Sequence, residues 1–361
     1  MAIDRGSLEA SKSDQLARLA RRGVVCGLVL AAAAVGRELL HRTRGHRTRG
    51  QDGAERGGDV RAVTRSSPGT ARAVDRPLPP PGRKLPRRQS AVPAARRLYS
   101  GAAVLATSVL ADSTLEHYRA YFFRPAMYAA PSVSALTLAT SVSAAASTED
   151  GGWARDGVYA AAVLTGLAGT GFHLYNVGKR EGSFSWLNLF YGAPLGAPAA
   201  ISLAGLFGLA ARRLAGDTGD GPPKLLGVPA GPALAALAAA GLMGTVGEAA
   251  LLHFRGAFQD PFMYLPVTVP PVAAAALAAA ALRPTPARQR VAAAALCTTS
   301  VLGLVGVGFH AYGIHRNMGG WRNWSQMILQ GPPLPAPSGF TGVALAGLGA
   351  LQLLKHPEEE R

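Results

Sequence analysis

A chain of 361 residues has room for two soluble domains, yet only 16% of it is charged and its formal net charge is +16. Most of that charge crowds into the first hundred positions, while from Leu98 onward long stretches of Ala, Leu, Val and Gly carry almost none. This distribution argues against a soluble enzyme and against a basic nucleic-acid-binding face, and two cysteines without metal-site spacing (Cys26 and Cys297) support neither a disulfide framework nor a zinc site.

In chain order, residues 1–40 form an amino-terminal segment holding the apolar run "GVVCGLVLAAAAV" from Gly23 to Val35, between Arg21–Arg22 and Arg37. The run is short of the roughly 20 residues that cross a bilayer, so an extra anchor helix and a membrane-surface segment are equal expectations. Residues 41–97 read as a basic, disordered linker, with "HRTRGHRTRG" and "RPLPPPGRKLPRR" as signatures. The linker lacks the apolar periodicity that would offset the entropy of ordering it. Its charge suits a solvated tail that fixes membrane orientation and meets anionic lipid.

Eight apolar stretches follow, at 98–121, 126–146, 157–178, 192–211, 231–255, 262–282, 291–314 and 338–354. Each approaches the length of a membrane span, and within a bilayer the backbone must satisfy itself, so each is expected as a helix. The fold class is therefore all-α integral membrane, with eight core transmembrane helices. The connections are short and broken by Pro and Gly, as in "RPTPARQR" from Arg283 to Arg290.

The stretches fall into two blocks, 98–214 and 230–355, that match each other. "HYRAYFFRPAMY" from His117 aligns with "HFRGAFQDPFMY" from His253, pairing His117 with His253, Arg119 with Arg255, Phe122 with Phe258, Pro125 with Pro261, Met127 with Met263 and Tyr128 with Tyr264. An acid stands five residues before each of these histidines, Asp112 or Glu248. GxxGxGFHxY then occurs from Gly166 and from Gly303, placing His173 with Tyr175 and His310 with Tyr312. A third match joins Gly182 to Gly320, Trp186 to Trp324, and "GAPLGAP" at Gly192 to "GPPLPAP" at Gly331. The expectation is a four-helix unit used twice. An even number of spans inserts both copies in the same direction, unlike the inverted pairs of many transporters.

The excess of Lys and Arg puts the linker and carboxyl terminus in the cytoplasm of a bacterial inner membrane. All four motif histidines then lie on the opposite side. His117 is about 19 residues into its span and His173 about 16 into its own, which are similar depths at about 1.5 Å per residue. A histidine from the first and third helix of each unit, at one level, can supply both axial ligands of a haem iron. His117, His173, His253 and His310 are thus candidate metal ligands of two b-type haems. The glycines around them are expected to let a flat macrocycle approach. Arg119 and Arg255 are candidate propionate partners, and Tyr175 and Tyr312 are candidates to line a quinone site. In architecture the arrangement resembles duplicated membrane cytochromes.

Asp112 and Glu248 lie within apolar runs, where an ionisable group is a functional candidate, here in proton handling. Glu116 has no counterpart, since Leu252 takes its place, and is discounted. Non-haem iron held by Asp112, His117 and His173 is the chemical alternative. Residues five apart on a helix differ by about 140° in direction, which disfavours it. Trp186, Phe190, Tyr191, Trp321 and Trp324 suit an interfacial belt.

The favoured expectation is a membrane electron-transfer subunit linked to quinone or a dehydrogenase partner, within the lipid bilayer and without nucleic acid. A transporter for a small polar substrate, and a scaffold whose histidines tie helices together, are the alternatives.

Overall fold

The computed structural model describes residues 88–147, 152–192, 194–217 and 221–354, all within the compact unit that begins at Arg87. The expected anchor segment and the linker as far as residue 87 lie outside the described residues.

Helix α1 (Arg88–Arg119) begins ten residues before Leu98, so the last ten residues expected as linker are helical instead. The reason is packing. Ala91, Ala94, Ala95 and Leu98 are buried, and Ala94 and Leu98 lie against Gly349 of the last helix. A single turn of 3-10 helix, Pro125–Tyr128, leads into α2 (Ala129–Ala146), followed by α3 (Gly152–Gly178), the short α4 (Trp186–Tyr191) and α5 (Gly196–Gly216). A two-stranded antiparallel hairpin, β1 (Lys224–Leu225) and β2 (Val228–Pro229), links this group to α6 (Ala230–Arg255). The order then recurs: a 3-10 turn at Pro261–Tyr264, α7 (Leu265–Leu282), α8 (Pro286–Arg316), a 3-10 turn at Gly320–Asn323, the short α9 (Trp324–Gln330) and α10 (Ser338–Leu351).

Seven of these segments are long and apolar enough to cross a membrane, as in a polytopic membrane protein. The eighth expected span differs. Helix α10 has 14 residues, about 21 Å of rise against a hydrocarbon core of about 30 Å. Prolines cause the shortfall. Through Pro333, Pro335 and Pro337 the chain advances by i to i+3 hydrogen bonds, Ala336 N–H to the Pro333 carbonyl and Ser338 N–H to that of Pro335, before α-helical bonding begins.

The helices close two rings. Helix α1 packs on α2 and α5, and α3 packs on the same two; α6 packs on α7 and α10, and α8 on the same two. Helices α1 and α3 thus stand at diagonal corners, as do α6 and α8. The main seam between the rings joins α1 to α10, where Gly101 faces the Gly342 carbonyl closely enough that only hydrogen fits between the backbones. Within the rings, the Ser202 hydroxyl donates to the Val163 carbonyl at 2.9 Å, and the Thr341 hydroxyl to that of Ser300 at 2.7 Å.

Candidate functional site

All four motif histidines occupy the carboxyl-terminal parts of α1, α3, α6 and α8, and all are half-buried. Each ring is fixed in the same way. His117 Nδ1 bonds the Met127 carbonyl and His253 Nδ1 the equivalent Met263 carbonyl, at 2.5 and 2.7 Å. His173 Nδ1 bonds the Pro194 carbonyl, and His310 Nδ1 that of Pro333. A carbonyl can only accept, so each Nδ1 carries a proton, and in a neutral ring Nε2 is then the nitrogen with the lone pair. The imidazoles fall two to a ring of helices, His117 and His173 in one and His253 and His310 in the other.

A reversal of the backbone puts the methionine carbonyls in place. After α1, Tyr121 and Phe122 have φ of 54° and 45°; after α6, Ala257 and Phe258 have φ of 56° and 44°. Four non-glycine residues in the left-handed region hold conformations that cost roughly 1–2 kcal/mol each. They are closed by Phe122 N–H to the His117 carbonyl and Phe258 N–H to that of His253. The turn folds Phe122 edge-on to His117 at 5.9 Å and stacks it on Tyr128 at 4.4 Å. Phe258 does the same with His253 and Tyr264, at 6.0 and 4.6 Å.

The acids stand on helices of different rings, Asp112 on α1 and Glu248 on α6. Glu248 accepts the backbone N–H of Gly196, the first residue of α5, at 3.1 Å. It therefore caps a helix of the other ring. The residue aligned with Gly196 is Pro335, which has no N–H, and Asp112 makes no such bond among the described residues.

The arginines reach across in the same reciprocal sense. Arg119 donates to the Ile328 carbonyl in α9 at 3.2 Å, and pairs with Glu116, the acid that the sequence comparison discounts. Its Nε is buried without a partner among the described residues. Arg255 lies over the rings of Phe190 and Tyr191 in α4, at 5.2 and 5.8 Å. Phe190 is buried against Phe254 rather than facing outward with the expected belt, whereas Trp186 and Tyr191 are exposed.

Tyr175 and Tyr312 are exposed and sit beneath cations one turn on, Lys179 and Arg316. The motif glycines divide. A Cβ on Gly166 or Gly303 would strike the backbone of α5 or α10, at Ser202 N (2.6 Å) or Thr341 N (2.8 Å), and Gly169 and Gly306 face Pro198 and Pro337. These four serve helix packing. Only Gly171 and Gly308, two residues before the histidines, open onto free space.

No three His, Cys, Asp or Glu side chains are grouped as a metal site among the described residues. The carbonyl partners and the left-handed turns are features that residue matching missed. Their trace in the sequence is that Phe122, Pro125, Met127 and Tyr128 recur as Phe258, Pro261, Met263 and Tyr264, and Pro194 as Pro333. No protein-family model, no curated protein and no solved structure matches this chain.

Proposed function

We propose that the chain is a membrane electron-transfer subunit that carries two b-type haems, one between each histidine couple, and exchanges electrons with quinone and a dehydrogenase partner. The observation that supports this most is the shared tautomer. Metal-bound histidines characteristically spend one ring N–H on a carbonyl or carboxylate, which orients the ring and leaves the other nitrogen to bind, and all four imidazoles here do so. A haem held in this way supplies a one-electron iron couple.

The remaining roles fall to the chain's own groups. The unpartnered Arg119 Nε suits a propionate oxygen. Gly171 and Gly308 keep the helix surface low beside His173 and His310. Asp112 and Glu248 hold protons next to the imidazoles. The reading takes the chain as two parallel copies of one four-helix unit, with α10 and its preceding turn as the eighth span. Its basic side faces the cytoplasm of a bacterial inner membrane.

A non-catalytic bundle is the second reading, and one observation favours it: each histidine already fastens the loop that follows its helix. The test is a dithionite-reduced minus oxidised spectrum of protein purified from haem-replete cells, with haem extraction and metal analysis. A Soret shift and α-band are expected, together with one haem for each histidine couple. His117→Asn and His253→Asn, which can still donate to the methionine carbonyls, should remain folded and each lose one haem. A spectrum without these bands, and no extractable haem, would leave the bundle; iron without haem would leave the non-haem alternative.

A further inference from the structure

At the end of the bundle opposite the histidines, a groove of about 390 Å³ lies between α1, α8 and α10. Arg97 and Arg290 stand on it, together with Gln289, Ala293, Leu348 and Leu351. Each guanidinium is steadied by one bond to a carbonyl: Arg97 Nη1 to Leu348 and Arg290 Nε to Pro286, both at 3.3 Å. Their other N–H groups have no carboxylate among the described residues. The sequence explains why. No Asp or Glu occurs from Arg88 to Ala111, or from Pro261 to Pro357.

We propose that this groove binds the headgroup phosphate of an anionic phospholipid. Two arginines from different helices line one groove, and guanidinium N–H groups suit phosphate oxygens. Arg290 lies about 6 Å along α8 from its first residue, the depth of a headgroup layer rather than of the hydrocarbon. The groove is also apolar beneath its charged rim. Leu351 is buried, and Leu348 and Ala293 are partly covered. A free phosphate ion would use the arginines alone, whereas a phospholipid also lays an acyl chain over the leucines.

The test is native mass spectrometry of the full chain in detergent with added phosphatidylglycerol or phosphatidylcholine, and with inorganic phosphate as competitor. Phosphatidylglycerol should be retained in preference to phosphatidylcholine. The double variant Arg97→Gln, Arg290→Gln should bind it about twenty-five-fold more weakly, at about a fivefold loss per arginine. Arg322→Gln, near the histidine end, should leave retention unchanged. Equal retention of the two lipids by the wild-type chain, which requires no variant to fold, would overturn the proposal. Displacement by inorganic phosphate at millimolar concentration would do so too, by assigning the site to a free anion.

Discussion

The Glu248 carboxylate accepts the N–H of Gly196 at 3.1 Å, so an acid on α6 caps α5 of the neighbouring ring. A negative group at a helix amino terminus satisfies an otherwise unpaired donor and meets the positive end of the helix dipole. Glu248→Ala should therefore destabilise the protein by about 1–2 kcal/mol, with Glu248→Gln showing only a small part of that loss because an acceptor oxygen remains. Asp112→Asn, at a position without this bond, should leave the thermal midpoint in detergent nearly unmoved. Equal midpoints for the alanine and wild-type chains would show that the cap contributes nothing.

The left-handed turns store strain that glycine can release. Tyr121 is 91% exposed at φ 54°, so little packing is lost with its side chain. Tyr121→Gly and Ala257→Gly should each stabilise by roughly 0.5–1 kcal/mol, as relief of the left-handed penalty outweighs the added freedom of the unfolded chain. Phe258→Gly should not, because it also removes the stack on Tyr264. Equilibrium unfolding of the three variants checks the ordering.

The motif glycines should separate by substitution. Gly166→Ala and Gly303→Ala place a methyl against the backbone of α5 and α10, and are expected to cost about 1–3 kcal/mol. Gly171→Ala and Gly308→Ala enter open space and should be neutral or slightly stabilising, alanine being the better helix former by up to about 1 kcal/mol. Gly171→Leu is the sharper probe of the haem proposal: stability should hold while bound haem falls. Purification yield, melting and haem content measure the three effects separately.

Arg255 over Phe190 should behave as a coupled pair. Single alanine variants and the double variant are expected to give a coupling of about 0.5–1 kcal/mol, the range of a partly shielded cation–π contact. Simple additivity would mean that the two side chains act independently.

The helices were legible because charge is costly in a bilayer, and its absence therefore marks the spans. Their ends were less so. Charge marked Arg96 and Arg97 as linker, but buried Ala94 and Ala95 between them and the helix start draw α1 back to Arg88. Apolar composition made 338–354 resemble a full span, although prolines tighten its first turns. Matching residues found the four histidines, the two acids and the two arginines. It could not show that Met127 and Pro194 matter through their carbonyls, since backbone atoms leave no signature in residue type. Nor could it show the role of Glu116, whose bond to Arg119 belongs to one ring only. The motif glycines looked uniform in sequence, and only their surroundings separate those that admit a neighbouring helix from the two that face open space.

Pro335 breaks an otherwise even arrangement. One acid is tethered to a helix across the boundary, while its counterpart has no such tether among the described residues. Two positions that look interchangeable on paper are thus unequal posts in space. The difference follows from one ring closure: an imino nitrogen carries no hydrogen, so that helix start offers an acid nothing to hold.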